Sequence, residues 1–327
     1  MLPLYPVGEV NWLTSQALYH GLPVLGEEGV ILCWPKESYV SLGCHQDWDE
    51  FDESSNIPAI RRQVGGSLVY LDNQQVFFQV IADPSKHPRL KTPEQWYHFA
   101  LYPVIASLKH LGFEARFKAP ADILVDDRKI SGNAGGQIED SAVVVGNILL
   151  EFSPENMARV RAGSTLLKGA FAEAMARHLV TLNALTAPGR VWTREEVMRL
   201  LARFFHQEMG AEIQDSIPWD RWDEVLDQTG KRLLQPEWLH AAGYRPPYHQ
   251  VKVREGVYLR QTRRDRYPEV IAEVNTESKV ITALWNCPVQ FSLPLNAAGI
   301  GEQIQDSPLR LILYELLDVH TKDPMLS

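Results

Sequence analysis

A chain of 327 residues, 45% hydrophobic, is long enough for one large core plus a smaller domain, since domains run to about 100–200 residues. Its formal charge of −9 and pI near 5.6 argue against a general nucleic-acid binder, which would carry a basic surplus. Three cysteines, Cys33, Cys44 and Cys287, lie far apart without Cys-x-x-Cys or Cys/His metal spacing, so neither a disulfide framework nor a zinc site is indicated and a cytoplasmic setting is expected.

Residues 1–8 contain two prolines and lack the basic and apolar zones of a signal peptide. No apolar run approaches the roughly 20 residues needed to cross a bilayer, so no membrane partner is expected. From 9 to 20, Val10, Leu13, Ala17 and Leu18 fall near one helical face, and Gly21 with Pro23 ends the pattern. Residues 29–34 and 38–42 are β-branched and aromatic runs around Pro35-Lys36-Glu37, which predicts a hairpin. Residues 69–81 read as paired strands interrupted at Asp72-Asn73. A long helix is expected over 93–111, where Trp96, Phe99, Ala100, Val104, Leu108 and Leu111 recur at three- and four-residue steps before Gly112. Short strands follow at 114–117, 123–125, 129–134 and 141–152, the last almost wholly apolar over 142–150 and therefore covered on both faces.

Ser153-Pro154 caps a further helix. Gly163, Gly169 and several alanines suggest loop plus short helix over 161–185. Thr193 and Glu196 form a capping box for a helix ending at Gly210. The stretch 243–247, with its proline pair, is the candidate linker. Beyond it, alternating segments at 250–253, 257–261, 270–274 and 279–285 and a closing helix at 307–317 make a small α+β unit. The expected division is therefore 1–245 and 246–327. The fold class is α+β: a mixed, largely antiparallel sheet flanked by helices, plus a small C-terminal domain.

Two stretches carry the chemistry. In Arg61-Arg62-Gln63-Val64-Gly65-Gly66-Ser67-Leu68-Val69-Tyr70-Leu71-Asp72, two cations precede a glycine pair that can offer backbone N–H groups to an anion. In Asp126-Asp127-Arg128-Lys129-Ile130-Ser131-Gly132-Asn133-Ala134, a lysine stands beside another small-residue turn. Together they could hold a carboxylate or phosphate between an arginine, a lysine and bare amides. The ten histidines show no metal spacing.

The order of these elements, with Arg-Arg-x-x-Gly-Gly, Val-x-x-Asp and then Asp-Arg-Lys-Ile-Ser-Gly-x-Ala before an apolar strand ending Gly-x-Ile-Leu, resembles the lipoate-protein ligase A family over roughly residues 10–210. That resemblance implies ATP-dependent attachment of lipoate or a related medium-chain acid to the lysine of a small lipoyl carrier domain, through an acyl-adenylate. On the family's motifs, Lys129 matches the lysine that reaches the bridging carboxyl and phosphate oxygens. Arg62, Gly65, Gly66, Ser67, Ser131, Gly132 and Ala134 match positions lining the adenylate. Asp122 matches an acidic position that could hold Mg²⁺ or orient the lysine. The sequence departs from the pattern where the family carries a polar or glycine residue: Val64, Ser67, Leu71, Ala121, Gly136 and Val144-Val145 stand there instead. These departures keep two alternatives open: an octanoyl or lipoyl transferase using a pre-activated acyl group carried on a cysteine, with Cys44 the candidate, or a non-catalytic acyl- or carrier-binding homologue.

Overall fold

The computed structural model describes residues 1–243, 249–262, 269–290 and 292–318. The chain divides into two compact units: Met1–Ala162 with Leu179–Tyr244, and Gly163–His178 with Arg245–Ser327. Residues 163–178, expected in the first domain, thus group with the second. The prolines of the expected linker lie outside the described residues.

In the first unit the chain opens on a strand, β1 (Pro3–Val10), whose pairing with its neighbour shifts register between Pro6 and Gly8, the place where a proline is tolerated. Helix α1 (Trp12–Gly21) starts where the Asn11 side chain accepts from the Thr14 N–H. Then come β2 (Gly29–Pro35), β3 (Tyr39–Leu42), β4 (Ala59–Arg61), β5 (Val69–Leu71) and β6 (Gln75–Ala82). Helix α2 (Pro93–His110) has a full Thr92/Gln95 capping box. Strands β7 (Arg116–Lys118), β8 (Asp122–Val125), β9 (Arg128–Ile138) and β10 (Ser141–Leu149) follow, then α3 (Pro154–Arg159).

After helix α4 (Thr165–His178), which belongs to the second unit, the first unit resumes with α5 (Leu182–Leu185), α6 (Arg194–Met209), β11 (Glu212–Ile213), α7 (Trp219–Leu233) and α8 (Pro236–Leu239).

Eight strands form one sheet in the order β11-β1-β2-β6-β10-β9-β8-β7. The β11–β1 and β1–β2 pairings are parallel and the others antiparallel. A second, three-stranded sheet has the order β4-β3-β5. Two local expectations fail here. Strands β2 and β3 are not a hairpin, and β5 does not pair with β6, because each pair is split between the two sheets. The turn residues mark the chain reversals correctly, but the partner of each strand is decided by distant packing.

Side chains alternate across the pleat, so the large sheet has two distinct faces. One packs Val30, Leu32, Val76, Phe78, Val80, Val144 and Ile148 against Leu101, Val104 and Leu108 of α2 and Leu201 and Phe205 of α6. The other packs Ile31, Cys33, Phe77, Ile81, Ala134 and Val143 with Leu18 of α1, Tyr39, Ile60, Val64 and Trp222. Each fully buried Leu, Ile or Phe contributes about 1.5–3 kcal/mol. This second face carries the candidate site.

The second unit has its own four-stranded antiparallel sheet, β12 (His249–Arg254), β13 (Val257–Gln261), β14 (Ile271–Asn275) and β15 (Val280–Trp285), followed by α9 (Ala297–Gln303) and α10 (Ser307–Leu316). Val270, Val274, Ile281, Ile300, Ile312 and Leu313 share one core. Helix α4 packs on β12, β13 and β14, held by Arg177 and His178 on the buried Glu273 at 2.6 and 3.1 Å. The side chains of His178, Thr282 and Arg177 lower the Glu273 carboxyl to about 2 against the opposing effect of burial. Among the described residues, no helix is long and apolar enough to cross a membrane.

Candidate active site

The second motif forms a hairpin whose geometry follows from its sequence. Asp126 and Asp127 both take positive φ, 49° and 59°, as the two-residue turn between β8 and β9 requires. Beyond the turn, Leu124 pairs with Lys129 but Ile123 pairs with Ser131, so Ile130 is an extra residue, a β-bulge. In a regular strand residues 129 and 132 would point to opposite faces. The bulge puts Lys129 on the same face as Gly132 and sends Ile130 into the α2-side core.

Lys129 Nζ there lies 2.9 Å from Oδ1 of Asp122, which is 1% exposed against 18% for the lysine. Asp122 pairs across β8–β9 with Gly132. A Cβ at position 132 would lie 2.9 Å from Lys129 Cε and 3.1 Å from Nζ, so only glycine leaves the lysine its seat. The lysine backbone is also held, its carbonyl accepting the Val180 N–H at 2.9 Å.

The same bulge corrects one expectation. Ser131 pairs with Ile123, on the α2 side of the sheet, and its hydroxyl donates to Asn133 Oδ1 at 3.0 Å. It is fully buried and does not face Lys129.

The first motif folds back on itself around Arg62. Its Nε donates to the Gly65 carbonyl at 3.0 Å; Nη1 donates to the Ser41 carbonyl and hydroxyl at 2.7 and 3.3 Å; Nη2 donates to the Gly65 and Ser67 carbonyls at 2.8 and 2.9 Å. All five guanidinium donors are engaged inside the protein. The expectation that Arg62 touches the adenylate is therefore replaced: the buried cation shapes the loop. Gly66 takes φ +94°, and a Cβ there would lie 2.6 Å from Arg62 Nη2. The Gly65 N–H donates to the Gly135 carbonyl at 3.3 Å, and Gly66 approaches Ala134. The glycine loop thus rests on β9 two residues from Gly132, which brings the two motifs into one site. Arg61, fully buried, binds the Leu239, Ala241 and Gln46 carbonyls.

A model of the lipoyl protein ligase A/B catalytic domain matches residues 8–206, more than half of the chain. The chain belongs to this family. Among curated relatives, an octanoyltransferase LipM of Kyrpidia tusciae is 23% identical over 202 residues, covering 55% of this chain and 73% of the relative. The lipoate-protein ligase LplJ of Bacillus subtilis is 31% identical over 115 residues, a third of each chain. A bipartite lipoate protein ligase of Thermoplasma acidophilum, solved in a study of its lipoylation system with an E2 lipoyl domain, superposes with TM-score 0.64 at 16% identity, covering 75% of this chain and 98% of its own. A lipoate-protein ligase A bound with ATP superposes with TM-score 0.56 at 18% identity, covering 73% and 98%. At these identities the structures show the fold alone.

Against the lipoyl ligase pattern, the departures Val64, Leu71, Ala121, Val144 and Val145 pack as apolar groups. Val64 is fully buried and lies 3.4 Å from where a Cβ on Gly136 would stand, so the valine fills the room that the glycine leaves. Leu71 and Val145 pack on the same cluster. Val144 points the other way, into the α2-side core, so of the two valines only Val145 dries the Lys129 face. Ala121 is buried and its carbonyl accepts from Asn133 at 2.7 Å.

Sequence reading missed Gln75 and Asn147, buried carboxamides in mostly apolar strands; a single Asn inside the run 142–150 was the available signal. It also missed His20, whose Nε2 accepts the Gln63 N–H at 2.9 Å while its Nδ1 bonds the Gln16 carbonyl at 2.7 Å. Burial lowers this imidazole to about 3. With the unfolded value near 6.5, stability is fully present above pH 6.5 and is lost as pH falls towards 3, at about 1.4 kcal/mol per pH unit. Urea unfolding should therefore show His20→Gln less stable than the parent at pH 7 but losing about 2 kcal/mol less between pH 6.5 and 5; parallel pH profiles would refute this.

No group of three or more His, Cys, Asp or Glu side chains converges among the described residues. Asp122 offers one carboxylate, already paired with Lys129. One carboxylate is not a protein-built Mg²⁺ centre; an ion carried on substrate phosphates takes one or two carboxylates, and the one candidate here is engaged by the lysine. Asp122 instead orients the lysine. A cleft lined by Phe99, Tyr102 and Met209 contains none of the motif residues.

Proposed function

We propose that this protein joins lipoate or a related medium-chain acid to a lysine of a lipoyl carrier domain through an acyl-adenylate, using ATP. The observation that carries the reading is the Lys129–Asp122 pair beside the glycine loop. In the first step a carboxylate oxygen of the acid bonds to the α-phosphorus of ATP and the bond to the departing pyrophosphate breaks. Both reactants are anions, so a fixed cation beside the bridging oxygens stabilises the charge of the transition state. Lys129 supplies that cation, held by Asp122 before substrate arrives. In the second step the carrier amine attacks the acyl carbon and AMP leaves. Gly66, and Ala134 on β9, bound the space for the adenylate, with Val145 and Leu71 offering an apolar wall to the acyl chain.

The cysteines favour this route over transfer through a thioester. Burial pushes the Cys33 thiol up to about 12. Burial also raises Cys44, against the opposing pull of Arg62 and Arg61, and Cys287 is raised by burial too. A nucleophilic thiolate needs the opposite shift.

The deciding assay mixes the protein with a lipoyl carrier domain and either lipoate with Mg-ATP or an acyl-thioester carrier, and weighs the product. A mass gain only with lipoate and ATP is expected; a gain from the thioester alone would replace the ligase by a transferase, and no gain with retained acid or carrier binding would make the protein a non-catalytic binder. A cysteine-free variant, Cys33→Ala/Cys44→Ala/Cys287→Ala, should keep its ATP-dependent rate within about threefold, and loss of all transfer in that folded variant would reverse the assignment.

A further inference from the structure

Strands β6 and β10 lie at the centre of the large sheet and are mostly apolar, yet β6 carries the buried carboxamides Gln75 and Gln79 and β10 carries Asn147. A buried amide left unpaired is costly, and an apolar side chain of similar size avoids the cost altogether. Gln75 and Asn147 are paired with each other, and the pairing has a direction. The Gly132 N–H donates to Asn147 Oδ1 at 3.0 Å. Asn147 Nδ2 then donates to Gln75 Oε1 at 2.5 Å. Gln75 Nε2 donates to Asp72 Oδ1 at 3.2 Å and to the Tyr70 carbonyl at 3.3 Å. Because a backbone N–H can only donate, the first bond fixes the orientation of both amides, and a flip of either would set donor against donor.

The relay joins the two halves of the site. Its far end, Asp72, closes the first motif and also accepts the Gln74 N–H at 3.0 Å. Its near end, Gly132, is the residue whose Cα lies against the Lys129 side chain and whose strand partner, Asp122, holds the ammonium. A shift of Gly132 by a few tenths of an ångström therefore moves the seat of the lysine.

We propose that Asn147 is a positioning residue for Lys129, acting through Gly132, and that the relay from Asp72 keeps the two motifs in register. Its catalytic consequence rests on the adenylation reading; its geometric consequence does not.

The test uses Asn147→Leu and the double variant Gln75→Leu/Asn147→Leu in the full chain. Urea unfolding, brief labelling with an amine-reactive reagent read by peptide mass spectrometry, and adenylate formation are measured together. Asn147→Leu should be destabilised, and removing both amides should restore much of the loss, since Gln75 is then no longer left half-paired. In both variants Lys129 should label about threefold faster or more, with other lysines unchanged. The kcat for adenylate formation should fall about tenfold while KM for ATP stays within about twofold.

A purely structural role predicts instead that the double variant recovers stability, labelling and kcat together, and wild-type labelling of Lys129 in it would overturn the proposal. If the wild-type protein makes no adenylate, the adenylation reading falls, and the labelling still decides the role of Asn147.

Discussion

Replacing Lys129 by alanine should reduce acyl-adenylate formation by about a thousandfold or more, the scale of losing a preorganised charge at a transition state. The fold will register the change as well. The Lys129 ammonium faces Asp122, a carboxylate only 1% exposed, and removing one member of a buried pair takes a charge-assisted hydrogen bond from the other, at a cost of about 1–3 kcal/mol. Lys129→Ala alone therefore confounds catalysis with stability. The informative protein is Asp122→Asn/Lys129→Ala, which should regain the stability and none of the rate. Pyrophosphate exchange and urea unfolding, run side by side, separate the two. If the double variant forms adenylate at the parental rate, Lys129 is not the cation of the first step.

What the sequence made legible follows from how local each signal is. Helix α2 and its capping box, the Gly210 stop of α6 at φ +71°, and the apolar centre of β10 are all written within a few residues. Partner choice between strands is not: Pro35 marks the end of β2 without revealing that β3 joins another sheet. Strand β1 was hidden by Pro3 and Pro6, which lower strand propensity but are tolerated at an end and at a register shift. Gly163 and Gly169 shorten the helix expected within 161–185, although Leu167, Ala170, Phe171, Ala174 and Met175 already recur at helical spacing, and Gly169 faces open space.

At the candidate site, the motifs name Lys129, Asp122 and the glycines that the fold brings together, but not the direction in which their neighbours point. Ile130 is one residue too many for a regular ladder, and that single bulge decides that Lys129 faces the site while Ser131 does not. No composition or periodicity reports such a bulge, because it depends on which residue of β8 meets which of β9.

Arg62 shows the same limit most sharply, and yields the second large effect. An arginine three residues before a glycine pair reads as an anion ligand, whereas its five donors close the loop through Ser41, Gly65 and Ser67. Burial is the main cause that lowers its pKa, so the cation is retained at a desolvation cost that its hydrogen bonds offset. Arg62→Ala should cost about 3–5 kcal/mol, as carbonyls inside the protein lose their donors. Arg62→Lys should be nearly as damaging, because one ammonium cannot span acceptors that a planar fork reaches from both sides. Adenylate formation should fall in both through loss of the loop's shape, and Gly66→Ala, which pushes Arg62 Nη2 and strains a positive φ, should reproduce the defect with the arginine still present. A ligand-binding arginine would behave otherwise: Arg62→Lys would keep parental stability in urea and lose affinity for ATP alone. That pair of results would return Arg62 to the substrate and leave the loop to be held by something else.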